Sequence, residues 1–193
     1  MPRPNFEQVV SFHGHRCLDI AMGYRVALAA LDETARRGMD PTTLVATTGN
    51  DTCAVDGIQS VTGCTFGKRN LIPALTGKPA YLWQDARSGE GVRIYVHYWE
   101  QFDREETFRS RMSEWKLGCL PTPEAKAFEA EHERMIADIL EAPAETLFRV
   151  TPYSGPPPAR SGGFAASPCA KCGEHAKQSL LTDGICRECR SRE

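Results

Sequence analysis

The chain has 193 residues, 23 Lys and Arg against 25 Asp and Glu, 41% apolar residues and eight cysteines. That composition excludes disordered, collagenous and membrane-spanning chains, since no window approaches the ~18 uninterrupted apolar residues of a spanning helix. A net charge of −2 supplies no field for nucleic acid or an acidic membrane, and neither is expected as a partner.

The start, Met1-Pro2-Arg3-Pro4-Asn5-Phe6-Glu7, lacks the apolar stretch of a secretory leader, so a cytoplasmic protein is expected. Disulfides are rare there, and eight thiols then call for metal or redox chemistry. Asn5 and Gln8 form a capping-box pair, with Phe6, Val9 and Val10 on one face of a short helix ending near Gly14. A longer helix is expected over 16–37, with Ile20, Tyr24, Ala27, Leu28 and Leu31 as its buried stripe, Cys17 on the same stripe and Gly38 as its stop. Residues 44–48 read as a strand. Asp51 or Thr52 is expected to cap a helix through Val55, Ile58 and Val61 that stops at Gly63. Residues 81–84 and 92–99 read as paired strands around a polar, Gly-containing turn. Thr122-Pro123 opens a helix with Phe128, His132, Met135, Ile136 and Ile139 on its apolar face, and residues 147–150 close the domain as a strand. Strands mixed with helices, without strict βαβ alternation, indicate an α+β class.

Composition breaks at residues 151–168, where eleven of eighteen positions are Pro, Gly or Ser. Such a stretch reads as a linker, giving a core of residues 1–150, the linker 151–168 and a tail of residues 169–193. The tail is too short to fold on apolar burial alone. It carries two CxxC pairs, Cys169/Cys172 and Cys186/Cys189, thirteen residues apart. Four thiolates so spaced suit a tetrahedral structural zinc, which supplies the folding free energy that a missing core cannot. Its basic side chains are nearly cancelled by acids and read as a solvated surface.

In the core, His13, His15 and Cys17 fall within five residues where one helix stops and the next begins. Singly, each has an ordinary structural reading. Together with Cys53 and Cys64, at the two ends of the helix over 53–63, they suggest a mixed His/Cys site for zinc or another borderline-soft metal. Gly63 and Gly67 allow close backbone approach to a ligand, and Lys68 and Arg69 are candidates to neutralise an anion or thiolate; the spacing is not that of a phosphate-binding Walker loop.

FHGHRC with Gly23-Tyr24-Arg25, and NDTCAVDGIQSVTGCTFGKRNL after them, resemble the formylmethanofuran dehydrogenase-associated FmdE family, and the CxxC tail matches a zinc finger that some members append. The resemblance implies a thioredoxin-like α+β core, with a mixed five-stranded sheet flanked by helices, and a treble-clef finger. It also implies an association with formylmethanofuran dehydrogenase-type one-carbon, molybdenum and methanogenesis-related metabolism. Carried over by motif, the core metal ligands are His15, Cys17 and Cys64, with His13, Cys53 and Asp56 beside them. This chain has Leu18-Asp19 where the family usually has Pro-Gly, which adds a carboxylate in the first helical turn.

Other residues read as structural. His132-Glu133 lacks the second His of a zinc-protease motif, since Ile136 stands there, and is read as a helix face. His97 is read as a hydrogen-bonded strand histidine and Cys119 as inert. Trp83, Trp99 and Trp115 are read as core or interface anchors.

The resulting expectation is a metal-binding protein with structural zinc in the tail and a second divalent metal, zinc by preference, in the core. If it is an enzyme, the metal acts as a Lewis acid on water or a carbonyl-containing one-carbon substrate, with Asp56, Lys68 and Cys53 handling protons or charge. The alternatives are a metal-delivery or assembly factor whose finger docks partner subunits of a redox enzyme, and a thiol redox protein. The Trp-rich strand region makes a homodimer a further candidate.

Overall fold

The computed structural model describes residues 3–101, 106–156, 158 and 165–192. They form two compact units, residues 1–159 and 160–193.

The first unit opens with α1 (Phe6–His13), held by the reciprocal Asn5–Gln8 bonds of a capping box, both 2.9 Å. Gly14 ends it in the left-handed region at φ 98° and reverses the chain into α2 (Leu18–Arg36). The core follows as β1 (Leu44–Thr48), α3 (Ala54–Thr62), β2 (Leu71–Pro73), β3 (Ala80–Asp85) and β4 (Glu90–Val96). A 3-10 turn (Tyr98–Gln101), α4 (Glu106–Lys116), α5 (Thr122–Glu141), the single turn α6 (Ala144–Leu147) and β5 (Phe148–Ser154) complete the unit. The sheet order is β2-β1-β3-β4-β5, with β1 and β2 parallel and every other pair antiparallel. This is the α+β arrangement expected, a mixed five-stranded sheet flanked by helices.

Alternation along the strands decides the buried face. Ala46, Trp83 and Val92 lie in register across three strands, as do Tyr81 and Ile94 on the same face, and all are at most 2% exposed. Helix α2 packs on β4 and against both α3 and α5, so it buries more than one stripe. Leu18, Met22, Val26 and Ala30 are enclosed along with Ile20 and Ala27, whereas Tyr24, Leu28 and Leu31 from the expected stripe are half-buried. Arg25 reaches from α2 to the open end of α5, donating to the carbonyls of Ile139 and Leu140 at 2.6 Å and of Ala142 at 2.7 Å. A cation there satisfies carbonyls that have no helical partner and complements the negative end of the helix dipole.

Several boundaries differ from expectation. Strand β4 stops at Val96 rather than Trp99, because the chain turns at His97 into the 3-10 turn. Helix α3 is capped at Cys53, without a side-chain bond from Asp51 or Thr52. The expected linker is partly structured. Residues 151–154 extend β5, whose edge position tolerates Pro152, and β6 (Ala166–Pro168) lies at the other end of the stretch. Residues 157 and 159–164 of that stretch lie outside the described residues. No helix among the described residues is long and apolar enough to cross a membrane.

The second unit pairs β6 with β7 (His175–Lys177), followed by a 3-10 turn (Gln178–Leu180) and the four-residue α7 (Arg187–Arg190). Among its described residues only Cys169 is buried.

Candidate metal centre

Two helix N-termini meet because two glycines let their backbones touch. A Cβ on Gly23 of α2 would stand 2.3 Å from the Ala54 carbonyl oxygen, and one on Gly57 of α3 would stand 2.8 Å from the Tyr24 nitrogen. Only hydrogen fits at either position. This close crossing brings Cys17, the N-cap of α2, beside Cys53, the N-cap of α3. Cys17 Sγ accepts the Ile20 amide at 3.4 Å, which fixes the sulfur at the helix end.

His13 and His15 complete the group. Ligand atoms of His13, His15, Cys17 and Cys53 all lie within 4.8 Å of one another. His13 Nδ1 donates to Asp56 Oδ2 at 2.8 Å, which leaves Nε2 facing Cys17 Sγ at 4.0 Å. Asp56 in turn accepts from Gln59 Nε2 at 3.1 Å on its other oxygen. A carboxylate behind a ligating histidine fixes the ring and its tautomer, the arrangement that supports metal-bound imidazoles. His15 stacks on His13 with ring centroids 4.4 Å apart and is exposed. Two imidazoles and two thiols form a chemically apt donor set for a tetrahedral borderline-soft cation. Without a cation the site resists ionisation: burial pushes the Cys17 thiol up to about 12, with the Ile20 amide opposing and Cys53 adding to the rise.

The remaining site candidates fall elsewhere. Cys64 lies past the far end of α3, 3% exposed, its thiol donating to the Leu44 carbonyl at 3.9 Å, and it is not in the His/Cys group. Helix α3 rises about 12 Å from Ala54 to Thr62 at 1.5 Å per residue and stands between Cys53 and Cys64, too far for them to share one ion. Burial raises the Cys64 thiol, so it behaves as a small apolar core side chain. Lys68 is exposed in the loop beyond α3, near Cys64 rather than the cluster. Asp56 touches the site through His13.

The cluster opens on a cavity of about 830 Å³. His15, Cys17 and Cys53 form one end of its lining, and Tyr95, Trp99, Phe108 and Trp115 are among its walls. Trp83 is a core residue at 1% exposure and Trp99 packs against the core, as expected, and both Trp99 and Trp115 line the cavity. His132 also lines it, 5% exposed and stacked on Trp115 at 5.1 Å, with burial lowering its pKa. It stands on the buried face of α5 with Phe128, Ile136 and Ile139, as expected, and lines the cavity from there. Asp19 reaches the same cavity, and burial raises its carboxyl while Lys116 and His13 oppose the rise. On the other side of the cluster, His13, Asp56 and Phe66 line a smaller cavity of about 350 Å³.

The tail holds a second group. Cys169, Cys172, Cys186 and Cys189 also lie within 4.8 Å of one another. Cys169 Sγ accepts the amides of Lys171 at 3.4 Å and Cys186 at 3.3 Å. Backbone donors, with Cys172 the largest contributor, hold its thiol down to about 6. The four sulfurs fit a closed tetrahedral site.

Residues 12–149 match the family described as "FmdE, Molybdenum formylmethanofuran dehydrogenase operon". Over 194 residues the chain is 30% identical to a "Probable S-adenosyl-L-methionine-binding protein" of Archaeoglobus fulgidus, which covers 92% of this chain and 50% of that protein. The chain thus spans about half the length of this curated relative. Among solved structures, a tungsten formylmethanofuran dehydrogenase FmdE-like protein from Syntrophus aciditrophicus superposes with a TM-score of 0.66 at 21% identity, covering 100% of this chain and 98% of that one. At that identity the likeness speaks to the fold.

Proposed function

The chain belongs to the FmdE family, and from that premise we propose that it keeps a resident divalent metal, zinc by preference, between the N-termini of α2 and α3. We further propose that it serves formylmethanofuran dehydrogenase-type one-carbon redox metabolism beside partner subunits. The observation that carries the metal reading is the donor arrangement: His13 is oriented by Asp56, Cys17 is fixed by the Ile20 amide, and Cys53 is brought alongside by the Gly23–Gly57 crossing. Bound there, the metal would supply Lewis acidity at one end of the cavity. Asp56 holds the His13 proton at Nδ1 and keeps Nε2 for the metal. The aromatic walls exclude water around whatever molecule occupies the cavity.

Donors fixed in advance favour a resident metal over one captured for delivery. The test is metal retention: protein purified without added metal and dialysed against a chelator should keep its core equivalent for hours. Loss within minutes to an apo acceptor protein would instead support a delivery factor. The relative's name makes S-adenosylmethionine a candidate occupant of the cavity, because the match covers most of this chain.

A thiol redox role is the second reading, since the fold pairs Cys17 with Cys53 although no CxxC motif links them. It is the weaker one, because burial holds Cys17 away from the thiolate form that exchange requires. A Cys17–Cys53 disulfide formed reversibly at cytosolic potentials would support it.

A further inference from the structure

We infer that the cavity beside the core cluster binds a small molecule built from a flat heteroaromatic ring and a metal-coordinating group. The second half of that description rests on the metal reading above; the ring half stands on the cavity alone.

The volume, about 830 Å³, falls within the range of roughly 300–1,000 Å³ usual for small-molecule sites. Within the wall, His132 is 5% exposed, and its imidazole has no hydrogen-bond partner among the described residues. It faces the Trp115 ring, with Glu133, Lys116 and His15 as its charged or titratable neighbours. Its ring nitrogens are not among the fully enclosed side-chain atoms left without a partner, so the imidazole edge opens on the cavity, where a ligand can hydrogen-bond to it. The walls around it are flat rings: Trp99 from the 3-10 turn, Trp115 and Phe108 from α4. Trp115 packs on Phe128 and His132, Phe108 on Phe128 and Trp99 on Tyr98, so the wall is a braced cluster of rings whose flat, apolar surface fits a planar ligand. A neutral imidazole beside them selects a ring whose edge carries nitrogen or oxygen, because a hydrocarbon edge would leave the imidazole unpaired.

The metal end supplies the other half. Three donors are held by contacts or helix ends, whereas His15 is exposed, and among the described residues its side chain makes no hydrogen bond. It is the donor that a ligand in the cavity can replace most easily. Two thiolates neutralise a divalent ion, so the incoming donor can be neutral or anionic, and Lys116 lines the same cavity as a partner for an anion.

The test uses the full-length metal-loaded protein, its metal content determined before and after, titrated calorimetrically with quinoline-2-carboxylate. Naphthalene-2-carboxylate, which lacks the ring nitrogen, and decanoate, which lacks the ring, are the comparison probes. Saturable binding of the quinoline acid, at least tenfold tighter than the naphthalene acid and tighter still than decanoate, is expected. Both His132→Phe and Trp115→Leu should weaken it at least tenfold with metal content unchanged. Two metal equivalents with no saturable binding up to millimolar probe, tighter binding of decanoate, or indifference to both variants would overturn the ring site. Protein that holds only the tail metal yet still binds the quinoline acid tighter than the naphthalene acid, with the same sensitivity to His132→Phe and Trp115→Leu, would leave the ring site standing and sink the metal reading and the coordinating group with it.

Discussion

The two clusters share thiol donors, two beside a pair of imidazoles in the core and four in the tail, but stand in opposite structural settings. In the core, an apolar interior already fixes α2 and α3, and the donors are side chains at the ends of elements that fold for other reasons. In the tail only Cys169 is buried among the described residues, so the four sulfurs stand where a hydrophobic core would. The difference reaches the thiols themselves. Burial lifts Cys17, whereas backbone amides draw Cys169 down. The core cluster is positioned by a packed interior; the tail cluster has no such interior behind it.

Metal removal should expose that contrast most strongly. Chelation, or Cys172→Ala, is expected to unfold residues 165–192, with amide exchange protection there falling at least a hundredfold while the core strands keep theirs. Equal loss of protection in both units would erase the distinction. A smaller but still large effect is expected from Gly23→Ala. Its Cβ meets the Ala54 carbonyl, and overpacking of this kind costs about 1–3 kcal/mol or more. Denaturant unfolding should show that cost, and metal analysis should show the core equivalent lost while the tail equivalent stays. Asp56→Asn should leave the fold intact and weaken core metal affinity about 10–100-fold, as removal of a histidine's supporting carboxylate does. Competition with a chromogenic chelator reads this directly.

The smallest effect concerns pH. Burial lowers the His132 pKa from 6.5 in the folded protein, so protonation favours the unfolded chain. Its neutral form is fully compatible with the fold above pH 6.5, and stability is lost as pH falls from there toward the folded value. Melting temperature should therefore drop more between about pH 7 and pH 5 for the wild type than for His132→Phe. Equal slopes would mean that this imidazole titrates alike in both states.

How much is legible in the sequence follows the range of each signal. Local ones read well: the Asn5–Gln8 box, the Gly14 stop, the His13-to-Cys17 run and the paired CxxC motifs all act over a few residues. Strand β2 escapes such a reading because three residues ending in proline carry no periodicity. Helix α4 escapes it because the segment is polar overall, although Phe108, Met112 and Trp115 stand at i, i+4 and i+7. That spacing is the available signal for a wall of the cavity. Cys64 groups with the core ligands in the sequence because motif proximity along the chain hides the length of the helix between it and Cys53. The role of Cys53 depends on the Gly23–Gly57 crossing, a long-range contact that no local pattern displays. His132 reads as an ordinary helix-face residue because only tertiary packing shows the space in front of it.

The most direct test of the core site compares two single substitutions by metal analysis of protein purified without added metal. The wild type should carry two equivalents per chain. Cys53→Ser should carry one, and Cys64→Ser should keep both. Loss of an equivalent in Cys64→Ser with full retention in Cys53→Ser would contradict the His13, His15, Cys17 and Cys53 site.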